Sequence, residues 1–209
     1  MKRQLISIGA VLLVCSLIMC VGQEQAPDKF FETYNKIDTT QKEIDETFNS
    51  YWDQQAKRID YSTKNINNHN IDYKYIISML KSEQLLLDEL NKKNTAYSAQ
   101  VSELYETVKE IKGDEAKSSA NNLVISLRKS EQYLGNAVTR YSSATNAVGI
   151  IMNYYAIDAN LSNPSIKQEI ENQDLTAKTD FQAGDEYLGQ YYLVKDEANA
   201  TYKELLKMK

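Results

Sequence analysis

Hydrophobic side chains recur along the chain at alternating spacings of three and four residues from Asp28 onward. This is the period of an amphipathic α-helix, whereas a half-buried strand would alternate every second residue. The pattern is most regular between Ile76 and Ile111 and between Ala116 and Tyr155, where nearly every position at this spacing is apolar or aromatic. The spacing therefore predicts long helices that each bury one stripe.

Three short breaks divide this pattern into four helical segments. They lie at Asn65 to Asn70, at Lys112-Gly113-Asp114 and at Asn160 to Pro164, where asparagine, glycine and proline are typical of turns and helix ends. Connections this short place successive helices antiparallel. We therefore expect an all-α fold, an elongated antiparallel up-down four-helix bundle with coiled-coil-like helices. Antiparallel hairpins that pair between two chains are the alternative architecture.

The fourth segment has a less regular stripe than the others. It contains Gly184 and Gly189 in its interior. An interior glycine costs about 1 kcal/mol relative to alanine in a helix. We therefore expect this helix to bend near the two glycines.

The composition supports the helical interpretation and excludes one class of partner. Only seven glycines and two prolines are present in 209 residues, too few for the many turns of an all-β or doubly wound α/β domain. The net charge is −5, and no block of lysine or arginine follows the first three residues. Without a basic surface, nucleic acid is not an expected partner.

The first residues have the three-part layout of an export signal. Two basic residues precede an apolar run from Leu5 to Val21, and polar residues follow it. We therefore divide the chain into a signal peptide or N-terminal membrane anchor at 1–22, a tether at 23–27 and a helical bundle domain at 28–209. The exported domain would be anchored to the outer side of the cytoplasmic membrane or to the cell envelope.

Within the signal segment, Leu17-Ile18-Met19-Cys20 resembles the lipobox of prokaryotic lipoproteins, with Met19 standing where that motif usually has a small residue. The resemblance covers the signal alone, and it implies that Cys20 receives the lipid after cleavage. An uncleaved anchor is a second interpretation, because the apolar run is close to the minimum of the roughly 17 to 25 residues that span a bilayer. Cleavage without a lipid, which would release the domain, is a third.

The helical domain lacks the residues of the common catalytic and metal sites. Both cysteines, Cys15 and Cys20, lie in the signal segment, and His69 is the only histidine, so thiol chemistry and paired Glu-x-x-His motifs are excluded there. Ser126 and Lys129 match the Ser-x-x-Lys pattern of penicillin-binding enzymes, but they fall in the middle of a helix and no Lys-Thr-Gly follows. We therefore expect no metal, no cofactor and no enzymatic activity.

Several polar residues interrupt the apolar stripes. Gln41 and Gln55 lie on the stripe of the first helix, and Glu83 and Asn94 lie on that of the second. Polar residues in a helical seam typically fix register and pairing at some cost in stability. The alternative interpretation is that they line a channel or an internal ligand site.

Tyrosine is unusually frequent, with 15 residues in the chain. Five of them lie near the end of the third helix and the middle of the fourth, namely Tyr154, Tyr155, Tyr187, Tyr191 and Tyr192. Tyrosine packs its ring while its hydroxyl seeks a partner or water, which suits both helix seams and recognition surfaces. The five residues are therefore either seam packing or a candidate binding surface for a protein or a glycan.

A tethered bundle without a catalytic constellation indicates an interaction or structural protein of the cell envelope. Its expected partners are the membrane, through the lipid or the anchor, and another envelope protein. Self-association is also open, because long apolar stripes can pair between chains. The alternative function is an extracytoplasmic sensor or carrier that holds a small molecule inside the bundle.

Overall fold

The computed structural model describes residues 26–66, 71–157 and 162–207. The described part of the chain forms four helices without any strand, which confirms the predicted all-α fold. The helices are α1 (Asp28–Ile66), α2 (Tyr73–Val108), α3 (Asp114–Ile157) and α4 (Pro164–Lys207). The predicted signal or anchor with Cys20, residues 23–25 of the predicted tether, and His69 lie outside the described residues.

The helix boundaries follow from residues that satisfy free backbone groups at helix ends. Asn163 Oδ1 accepts a hydrogen bond from the Ser165 amide at 2.9 Å, and Pro164 is the first helical residue, as the sequence predicts. Gly113 separates α2 from α3 with a φ of 91°, a left-handed conformation that favours glycine. Asp72 caps α2 through its carboxylate, a role that the sequence pattern did not indicate.

The four helices pack in up-down order, with α1 beside α2, α2 beside α3 and α3 beside α4. Side chains alone close the bundle between α1 and α4, since no described Cα atom of α1 lies within 8 Å of one of α4. The Tyr34 hydroxyl donates to Asn199 Oδ1 at 2.6 Å, and the Lys195 ammonium pairs with the Asp45 carboxylate at 2.5 Å. We name this contact the α1–α4 seam.

The antiparallel order gives the bundle two different ends. One end holds the first described residues, the Gly113 turn and the C-terminal end of α4. The other end holds the C-terminal ends of α1 and α3 and the N-terminal ends of α2 and α4, and we name it the tip. A helix of 44 residues such as α3 is about 66 Å long at 1.5 Å per residue. The bundle is therefore elongated, and the tip lies far from the first described residues.

The predicted stripes form the core of the bundle. Tyr51, Tyr97, Tyr141 and Tyr191 are among its largest fully buried side chains. α4 passes through Gly184 as one uninterrupted helix, and a Cβ atom at this position would lie 2.6 Å from Tyr141 Cε1. Gly184 is therefore a place where an aromatic ring of α3 packs directly on the backbone of α4.

Packing of the bundle extends into the predicted tether. Ala26 is 8% exposed and lies in the core cluster, and the Pro27 carbonyl accepts a hydrogen bond from the Phe30 amide at 2.9 Å. Within the described ranges, no helix combines the length and the apolar character that crossing a bilayer requires.

Candidate functional site

The most polar feature of the interior is an ion pair between α1 and α2. The Arg58 guanidinium donates from Nε to Glu83 Oε1 at 2.6 Å and from Nη2 to Oε2 at 3.2 Å. The Glu83 side chain is fully buried, and that of Arg58 is 9% exposed. Glu83 is one of the polar stripe residues expected from the sequence, whereas Arg58 is not, although Arg58 continues the three-four spacing of Tyr51 and Gln55 along α1.

Two opposing effects act on the pKa of the Glu83 carboxyl. Burial raises the pKa, because the charged form loses its hydration, while the Arg58 guanidinium lowers it through hydrogen bonds and charge attraction. Burial is the larger effect, so the pKa lies above its ordinary value. A buried pair adds little net stability but is costly to break. It is therefore suited to fixing the register of α1 against α2.

A second polar cluster links three helices. The Tyr97 hydroxyl on α2 accepts a hydrogen bond from Gln41 Nε2 at 3.0 Å and donates to the Ser130 hydroxyl at 2.5 Å. Ser130 in turn donates to the Leu127 carbonyl at 2.9 Å. Burial raises the pKa of Tyr97 to about 12, so the phenol stays neutral at physiological pH. Gln41, one of the polar residues on the predicted stripes, thus connects α1 to α2 and, through Tyr97, to α3.

Some buried polar atoms have no hydrogen-bond partner within the described residues. They include the Tyr191 hydroxyl and Gln41 Oε1, both on fully buried side chains, and Asn94 Oδ1. Gln55 is half-buried. The polar residues of the apolar stripes lie at two heights along the bundle, since Gln41 and Gln55 are about 21 Å apart along α1 at 1.5 Å per residue. They do not surround one common cavity.

Tyr97 and Tyr191 form a matched pair for testing what a buried hydroxyl contributes. Tyr97→Phe leaves Gln41 Nε2 unpaired, so we expect the free energy of unfolding to fall by about 1–2 kcal/mol. Tyr191→Phe removes an unpartnered hydroxyl, so we expect the free energy of unfolding to be unchanged or to rise by about 1 kcal/mol. Urea unfolding of the full-length chain, followed by circular dichroism, measures both. An equal loss in the two variants would show that the Tyr191 hydroxyl is bonded to ordered water.

The five tyrosines singled out from the sequence do not form one surface. Tyr191 is fully buried, which agrees with seam packing rather than with a binding surface for this residue. Tyr187 is half-buried, and Tyr192 is 38% exposed beside the α1–α4 seam. Tyr154 and Tyr155 lie several turns away at the end of α3. The physical reason is that α4 runs antiparallel to α3, so its middle lies beside the middle of α3.

Two tyrosine pairs join three helices at the tip. The rings of Tyr61 and Tyr75 lie 4.8 Å apart edge to face, and those of Tyr73 and Tyr155 stack at 5.4 Å. The Tyr61 hydroxyl accepts a hydrogen bond from the Asp72 amide at 3.2 Å. Tyr75 is 47% exposed, and the other three tyrosines are half-buried. We name these four tyrosines the tip tyrosine cluster.

In the part of the chain that the structure describes, no three His, Cys, Asp or Glu side chains are grouped to hold a metal ion. The fold and its sites define an antiparallel helical bundle with a polar interior and an aromatic tip. No family model, no curated protein and no solved structure matches the chain.

Proposed function

We propose that this chain is a membrane-tethered, non-enzymatic interaction protein of the cell envelope that presents its tip to another envelope protein. The polarity of the bundle is the observation that carries the proposal. The first described residues and the tip tyrosine cluster lie at opposite ends of the bundle, about 50 Å apart along α1 at 1.5 Å per residue. Anchoring through residues 1–22 would hold the cluster away from the membrane.

The N-terminal sequence and the charge support this orientation. An attachment at Cys20, the last residue of the lipobox-like segment, would lie eight residues before the start of α1 in the chain. The chain carries a net charge of −5, and an acidic domain is repelled by an anionic lipid surface. The bundle would therefore stand off the membrane rather than lie on it.

The chemistry of the tip suits recognition of a protein. Tyrosine is enriched at protein interfaces, because a rigid ring supplies contact area and the hydroxyl supplies a hydrogen bond. Tyr75 exposes nearly half of its surface, and Ile157, two residues beyond Tyr155, is 83% exposed. Aromatic and aliphatic surface is thus available together at the end of the bundle.

Photo-cross-linking in intact cells tests the proposal. A photoreactive residue replaces Tyr75 at the tip in one variant and Tyr105 in a control variant, because Tyr105 is a comparably exposed tyrosine near the opposite end of α2. We expect mass spectrometry to find one envelope protein linked reproducibly through position 75 and not through position 105. We also expect Tyr75→Ala to weaken binding of that partner about tenfold, the effect of losing an interface tyrosine.

Two results would contradict the proposal. Adducts that form equally from positions 75 and 105 would show that the tip has no special role. Release of the native protein from cells without any membrane association would remove the tether on which the orientation depends.

A further inference from the structure

We propose that the groove between α2 and α3 binds a neutral oligosaccharide. The groove consists of two adjoining hollows of 440 and 220 Å³ that share Gln84 and Asn146. It extends along α2 from Ile77 to Asn91, about 21 Å at 1.5 Å per residue. This length suits a short chain of sugars. The groove lies on the side of the bundle and includes none of the tip tyrosine cluster.

The groove exists because α3 presents short side chains to it. Ser142, Ser143 and Gly149 line the α3 wall, and a Cβ atom at Gly149 would have no atom within 4 Å. Leu87 and Val138 form an apolar, buried floor. A strip of this kind can contact the C–H faces of a sugar ring.

The walls of the groove carry hydrogen-bonding side chains of low net charge. The amides are Gln84, Asn91, Asn146 and Asn153, and the hydroxyls are Thr139, Ser142, Ser143 and Thr145. The charged lining residues, Lys81 and Asp88, have opposite signs and cancel. An amide both donates and accepts, as a sugar hydroxyl does, so the two groups match in hydrogen-bonding capacity.

Part of this hydrogen-bonding capacity is not used by the protein itself. Gln84 Nε2 donates to Ser142 Oγ at 2.7 Å and to Asp88 Oδ1 at 3.2 Å, so it is held in place across the groove. The side chains of Asn91 and Asn146 make no hydrogen bond to another described residue. These two amides are therefore free to bond to a ligand.

Two other kinds of ligand fit the lining less well. An anionic ligand would need a group of cations, and Lys81 is the one cation among the described lining residues. An apolar helix would bury the amides of Asn91 and Asn146 without partners, at a cost of desolvation. A neutral, hydroxyl-rich chain satisfies these amides and covers the apolar floor.

Titration of the full-length chain with two defined sugars tests the proposal. The probes are chitotetraose, which carries acetamide groups, and cellotetraose, which does not. The protein is kept in a polyoxyethylene detergent, because an alkyl glycoside would compete. We expect isothermal titration calorimetry to give a Kd of about 1 mM or tighter for at least one sugar.

Matched variants locate the binding. Asn146→Trp places a large ring in the middle of the groove from an exposed position, and Asn91→Trp does so at one end. We expect each to weaken binding by about tenfold or more. Gln190→Trp, exposed on α4 and outside the groove lining, should leave the affinity unchanged.

Two results would overturn the proposal of a sugar-binding groove. Absence of binding for both sugars up to about 10 mM would overturn it, as would binding that survives both groove variants. Circular dichroism confirms that each variant is folded, and a variant that does not fold is replaced by the other. Neither outcome changes the cross-linking expected through position 75 at the tip, so the sugar-binding proposal and the proposed function are tested independently.

Discussion

Replacement of Glu83 by alanine is expected to lower the free energy of unfolding by about 3–5 kcal/mol. The substitution leaves the Arg58 guanidinium, which is almost fully buried, without its carboxylate. An unpaired charge in the interior costs far more than the intact pair contributes, because the lost hydration has no compensation. Urea unfolding of the full-length chain, monitored by circular dichroism, measures the change.

The matched control for this prediction removes both charges. In the double variant Arg58→Met, Glu83→Leu no charge remains at this site, and we expect stability within about 1 kcal/mol of the parent or above it. A Glu83→Ala variant as stable as the parent would show that the pair of Arg58 and Glu83 is not buried in solution. A double variant as unstable as Glu83→Ala would show that lost packing, rather than an unpaired charge, is the cause.

Gly184→Ala is expected to lower the free energy of unfolding by about 2–3 kcal/mol. The added Cβ atom would lie 2.6 Å from Tyr141 Cε1 and 2.8 Å from Cδ1. The Tyr141 ring cannot yield easily, since it is fully buried, packs against Tyr51 and Trp52, and donates a hydrogen bond from its hydroxyl to Asp185 at 2.8 Å. Thermal and urea unfolding both report the loss.

Gly189 in the same helix provides the control. A Cβ atom at this position would have no neighbouring atom within 4 Å. Gly189→Ala therefore gains helix propensity without a clash, and we expect the free energy of unfolding to rise by about 0.5–1 kcal/mol. If both alanine variants were stabilised to the same extent, α3 and α4 would pack less closely than the structure shows.

The helices and their ends could be predicted because they depend on local properties. The three-four spacing of apolar residues identifies a helix without knowledge of its neighbours. Gly113 marks a turn because other residues avoid its φ of 91°, and the Asn163-Pro164 pair marks a helix start because asparagine caps and proline needs no amide partner. Each of these signals is contained within a few residues.

Contacts between helices depend on register, and the sequence pattern does not fix register. Arg58 pairs with Glu83 between α1 and α2. The three-four spacing of α1 extends to Arg58, but this spacing does not indicate which residue of α2 lies opposite it. The contact between Tyr61 and Tyr75 at the tip could not be predicted for the same reason, because it also depends on the register of α1 against α2. Tyr191 is a different case, because its spacing of three residues from Leu188 and seven from Ala198 favours seam packing over a binding surface.

The closure of the bundle between α1 and α4 by side chains alone determines how the protein responds to mechanical load. A pull through residues 1–22 acts on the start of α1. Along α1 the pull meets in turn the ring of Phe31 beside that of Tyr202, the stack of Tyr34 on Tyr202, with ring centroids 3.6 Å apart, and the pair of Asp45 and Lys195. These contacts bear the force one after another, so α1 would peel from α4 at lower force than a simultaneous rupture requires. An attachment to a membrane through residues 1–22 would thus also be the point from which tension separates α1 from α4.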